Sequence, residues 1–204
     1  MRQRPAGKMM RTKIFWIFIV MMICAGASEQ AMSQWASAFA EMGLHVDKTT
    51  GDLLGPCMFA VLMGVARTFY GKVSGKIRLT VFMSASAVLC VFSYLLAVFS
   101  PIPVLSLAGC ALTGLSVGIM WPGTFSLAAE RCPKGGTVMF AFFALAGDLG
   151  CAGGPGLVGL LSGTGSGGLK SGLLFAVIFP IVLLGSVRAL RQMEEGEVKE
   201  KVFL

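Results

Sequence analysis

The sequence predicts an all-α polytopic membrane protein with six transmembrane helices, on three observations. Of 204 residues, 55% are hydrophobic and only 13% charged, about half the charged share of a soluble domain. The mean hydropathy is +0.79. The charges fall in short clusters between apolar runs, each long enough at about 1.5 Å per residue to cross roughly 30 Å of hydrocarbon.

The apolar runs cover residues 14–40, 53–70, 79–99, 103–129, 137–161 and 169–190. The first is polar in its second half. It starts like a signal peptide, basic then apolar, but it is too long and five further spans follow. Residues 1–13 form a basic N-terminus, 14–190 the six-helix bundle and 191–204 a charged C-terminal tail. The loops are short. Pro101 and Pro103 mark one outer turn, and the glycines and serines of 162–168 mark another. The 27 glycines suit close helix packing in lipid.

Charge orients the bundle. With the N-terminus inside, the inner segments carry Arg2, Arg4, Lys8, Arg11 and Lys13, then Arg67, Lys72, Lys76 and Arg78. Arg131 and Lys134 follow, then Arg188, Arg191, Lys199 and Lys201. The outer loops carry Lys48 and Lys170. A split of fifteen to two is a positive-inside signal for an even number of spans. It predicts a multi-pass protein of the cytoplasmic membrane with both termini cytoplasmic. The net charge of +7 therefore reads as topology. It does not predict nucleic-acid binding, since no basic patch carries interleaved aromatics.

Two carboxylates lie at bilayer depth, Glu29 in the first span and Asp148 in the fifth. A charge there costs about 2.5–3.5 kcal/mol on insertion scales, so such residues face a bundle interior or a wet cavity. Gly26, Glu29, Gln30, Ser33 and Ser37 recur at helical spacing, and Gln34 and Trp35 extend the stripe. Two roles fit it: a cavity wall for a polar substrate, or a polar seam against another helix. Asp148 fits either a proton or cation carrier or a neutral bond to a neighbouring helix. Gly147, Gly150 and Gly154 give the fifth span a nearly bare face for helix packing, and Pro155 is a candidate kink. Trp121-Pro122-Gly123 interrupts the fourth span, as a gate or as packing beside a membrane proline. Glu130 sits beside Arg131 at that span's inner end and reads as solvated.

Catalysis finds no support. The sole histidine, His45, falls in an outer loop, and no Walker loop or metal-ligand pair occurs. Cys24, Cys57, Cys90, Cys110, Cys132 and Cys151 are well separated and read as small packing residues. No cofactor and no metal are expected.

Several stretches together resemble the C-terminal half of a major facilitator superfamily transporter, in the sugar-permease branch that includes fucose permease-like proteins. GASEQAMSQWASAFAE (residues 26–41) resembles that family's seventh helix. MGVARTFYGKVSGKI (63–77) resembles the end of the eighth helix and the loop after it, where the superfamily often reads G-x-x-x-D-R-x-G-R-R. Gly71 matches the leading glycine, Lys76 the basic position and Arg78 a later one, while Gly75 stands where the family carries Asp. The run 150–159 resembles the Gly-Pro motif of the eleventh helix, centred on Gly154-Pro155. The resemblance covers residues 13–190.

The resemblance implies two inverted three-helix repeats, making half of a twelve-helix fold. It implies a secondary active transporter, a symporter if protons are coupled, that moves a small polar solute by alternating access. The cavity candidates are Glu29, Gln30, Ser33, Gln34, Trp121 and Asp148, with Glu29 and Asp148 as candidate proton carriers. The partners implied are the solute, protons, the lipid bilayer and an N-terminal six-helix half. The alternatives are a self-sufficient half that dimerises through its glycine faces, and a non-transporting membrane remnant or structural partner.

Overall fold

The computed structural model describes residues 10–73, 76–164 and 168–202. Arg2, Arg4, Lys8, Gly75 and residues 165–167 lie outside the described residues, as do the side chains of Lys199 and Lys201. Among the described residues there is no strand, and six helices are long and apolar enough to cross a membrane. They are α1 (Lys13–Gly43), α2 (Lys48–Val73), α3 (Leu79–Phe99), α4 (Pro103–Arg131), α5 (Gly136–Thr164) and α6, made of Gly168–Ala176 and Ile178–Val202.

Burial repeats with a period of three helices. Over their most apolar 18 residues, α1 and α4 are 56% and 67% buried. The values for α2 and α5 are 17% and 28%, and for α3 and α6 they are 44% and 39%. Helices 1 and 4 are therefore the inner pair, and helices 2 and 5 are the most exposed. The repetition divides the bundle into two three-helix units of matching burial. α1 packs on α5 and α6, α4 on α2 and α3, and α6 closes the ring against α3.

Proline decides where helices break. A proline donates no N–H and its ring crowds the carbonyl four residues earlier. Pro122 therefore breaks α4 at Gly118–Ile119, one turn before the proline itself. Pro180 does the same at Val177, inside the single apolar run 169–190. Pro56 sits in a widened π turn, Leu53–Cys57. Pro155 leaves α5 continuous.

The α1–α2 loop is tight, with His45 in the left-handed region at φ 55°. Asp47 then caps α2, its carboxylate accepting from the Thr50 N–H at 3.0 Å. That bond holds the exposed Asp47 carboxyl below its ordinary range. At the opposite, basic end, the Glu194 carboxylate joins Arg78 (3.1 Å) to Arg131. Glu194 lies on α6, which runs as helix past Leu190 and through the charged tail.

The core is rich in methionine and aromatics. Phe18, Met21, Met22, Met83, Tyr94, Met120 and Phe143 are fully buried. Met fills irregular gaps because it is unbranched. Cys24, Cys90 and Cys110 are buried with them, whereas Cys57 is exposed. Tyr94 of α3 donates its hydroxyl to the Ser28 carbonyl of α1 at 2.8 Å. Tyr94→Phe is expected to lower stability by about 0.5–1.5 kcal/mol, the net worth of one such bond. Thermal unfolding in detergent checks it.

Candidate functional site

The polar stripe on α1 divides between two duties. Glu29, Gln30 and Ser33 are half-buried and Gln34 is exposed. Gln34 Nε2 donates to Gln30 Oε1 at 3.2 Å, one turn away on the same face. Ser37 instead donates to the Asp52 carboxylate at the start of α2. Gly26 is buried against Gly147 and Cys151 of α5. Trp35 also turns to α5, its Nε1 donating to the Pro155 carbonyl at 3.0 Å. Glu29, Gln30, Ser33 and Gln34 thus leave polar atoms open to a ligand or to water, while Gly26, Trp35 and Ser37 hold neighbouring helices.

Arg67 corrects the sequence analysis. Its place there was the inner loop, but it lies inside α2, six residues before Val73. At about 1.5 Å per residue that is roughly 9 Å from the helix end. Its Nε donates to the Gly118 carbonyl of α4 at 3.1 Å, and its Nη2 lies 3.6 Å from Met63 Sδ. The reason is Pro122, which has no N–H to return to Gly118, so that carbonyl is free to accept. Arg67 is also within electrostatic reach of Glu29. Removing it from the topology count leaves fourteen to two, so the positive-inside signal survives. The overlooked signal was a lone cation inside the apolar stretch MFAVLMGVARTFYG.

Asp148 is exposed on α5. Cys151, one turn further on, is within electrostatic reach of both Asp148 and Glu29. Glu29 on α1 is thus within electrostatic reach of Arg67 on α2 and of Cys151 on α5. Trp121 is half-buried on α4 and lies over Gly147 of α5, with Phe125 at a ring distance of 6.1 Å. Its indole N–H is buried and has no partner among the described residues.

Gly147, Gly150 and Gly154 are all buried; α1 of the same chain crosses Gly150 and Gly154, and Trp121 of α4 with Met22 of α1 covers Gly147. A Cβ on Gly154 would stand 2.8 Å from Ala27 Cα. This glycine face is therefore filled by helices of the same chain. Glu130 is exposed at the basic end of α4, and His45 is exposed in the α1–α2 loop. Among the described residues, no group of three or more His, Cys, Asp or Glu gathers as a metal site.

The six apolar helices thus carry an open polar face on α1, and their burial repeats every three helices. The family model described as Major Facilitator Superfamily matches residues 3–155 and again residues 44–200, each well over half of the chain. Neither the curated proteins nor the solved structures yield a match. Members of the matched family are membrane transporters, not enzymes, and act on small molecules. The chain belongs to the Major Facilitator Superfamily.

Proposed function

We propose that the chain is the C-terminal six-helix half of a secondary transporter for a small polar solute such as a sugar. It works by alternating access with proton symport, in the cytoplasmic membrane and with both termini inside. The observation that carries this is the open polar face of α1, Glu29-Gln30 and Ser33-Gln34, with Arg67 and Asp148 alongside. Charges inside a span persist where water, a ligand or a partner helix meets them. The exposed sides of α2 and α5 are where a second six-helix body, an N-terminal half, would close the cavity. Trp121 forms part of the wall behind it. Glu29 and Asp148 are the proton carriers in this reading.

Uptake of radiolabelled fucose and glucose into proteoliposomes tests it, with wild type and Glu29→Gln compared across an imposed pH gradient. The substitution keeps the shape and removes the charge. Uptake is expected to fall about tenfold or more, the equivalent of one charged hydrogen bond, and to stop responding to the gradient. Unchanged uptake and unchanged pH response would remove Glu29 from the mechanism.

A further inference from the structure

A groove of about 630 Å³ runs between α3 and α6, on helices that carry none of the cavity residues. On α3 it extends from Val81 past Ser84 and Val88 to Phe92, and on α6 it meets Leu184 and Arg188. Val81, Val88 and Phe92 are 44%, 53% and 58% exposed, so the walls face outward. Ser84 turns its hydroxyl back onto the Thr80 carbonyl at 2.7 Å, which leaves the floor without a free donor.

Length and charge identify the occupant. Val81 to Phe92 is eleven residues of helix, about 16 Å at 1.5 Å per residue. A single leaflet is about 15 Å thick, half of the roughly 30 Å hydrocarbon core. Arg188 lies on the α6 wall of the groove, one turn beyond Leu184 toward the basic end of the bundle. Glu194, the nearest described carboxylate on α6 beyond it, is already held by Arg78 and Arg131. Among the described residues Arg188 makes no hydrogen bond or ion pair. A groove one leaflet long with a cation on its wall toward the basic side fits an acyl chain joined to a phosphate, and basic sites between membrane helices recognise anionic headgroups. A helix of a second copy would run through both leaflets and would need its own carboxylate opposite Arg188.

We propose that this groove is a binding site for one anionic phospholipid, with an acyl chain along α3 and the headgroup phosphate on Arg188. The full chain, purified in detergent, is titrated with phosphatidylglycerol or phosphatidylcholine of the same acyl chains and read by native mass spectrometry. Wild type is expected to retain phosphatidylglycerol about fivefold better, the Boltzmann factor of one cation at an anionic surface. Arg188→Gln erases that preference and keeps the weaker phosphatidylcholine adduct. Val88→Trp fills the groove and loses both adducts, while Lys72→Gln on α2 changes neither. Equal retention of the two lipids by wild type, or an unchanged preference in Arg188→Gln, overturns the proposal. So does a dimer mass that Val88→Trp abolishes, which would make a second copy the occupant. Should Val88→Trp not fold, the Arg188→Gln comparison decides alone, since Arg188 is exposed and supports no internal contact.

Discussion

Gly150→Leu is expected to lower the unfolding temperature of the purified protein by several degrees, while Gly153→Leu, three residues along the same helix, does not lower it. A Cβ on Gly150 falls on the backbone of α1, 2.8 Å from the Ile23 carbonyl carbon and 3.0 Å from its Cα. Backbone cannot rotate away as a side chain does, so α1 and α5 must part along their length. Overpacking of this kind costs about 1–3 kcal/mol, and each kcal/mol moves the midpoint by roughly 2–4 °C at this chain length. Gly153 has nothing within 4 Å of its added Cβ. Both substitutions add the same side chain and the same helix propensity. Their difference therefore isolates the α1–α5 contact. Equal midpoints would show that the two helices do not meet at Gly150.

The second large effect belongs to Arg67. Arg67→Gln removes the donor to Gly118 together with the cation near Glu29. A hydrogen bond from a charged group is worth about 1.5–3 kcal/mol. Loss of uptake by about tenfold to a hundredfold is the expected result if that geometry is needed for transport. Arg67→Lys keeps the charge but has no Nε–H aimed at the carbonyl, so it is expected to recover part of the activity and not all. The double variant Glu29→Gln/Arg67→Gln separates the two roles. If the charges act as a pair, it loses less than the sum of the single losses. Additive losses would confine Arg67 to bracing the α4 break.

Most of this architecture is legible in the sequence because hydropathy and length are local quantities. The third span was expected at 79–99 and α3 is Leu79–Phe99. The fourth span also starts where expected, at Pro103, and the remaining ends lie outward by one to several residues as helix continues beyond the apolar runs. α6 moved furthest, running on to Val202, with Glu194 tied to Arg78 and Arg131. Which side of a helix faces which neighbour is not local, and there the sequence says less. The stripe on α1 has one period, yet Gly26 and Trp35 turn to α5 while Gln34 stays open. Asp52 drew no attention as a loop residue, but it bonds Ser37 across two helices. Arg67 was misplaced because the nearest loop already explained a cation. Its partner, the Gly118 carbonyl, is freed by Pro122, which lies 55 residues from Arg67 in sequence.

The central claim is that the polar face of α1 opens on water inside the membrane, and thiol labelling tests it most directly. In a full-length chain with its six cysteines replaced by serine, Gln34→Cys and Phe92→Cys are each exposed to a membrane-impermeant maleimide in liposomes. Gln34 lies on the open polar face, and Phe92 points outward from α3. The account predicts that Gln34→Cys reacts readily and Phe92→Cys is protected by lipid. Equal protection of the two, or faster reaction at Phe92→Cys, would contradict it.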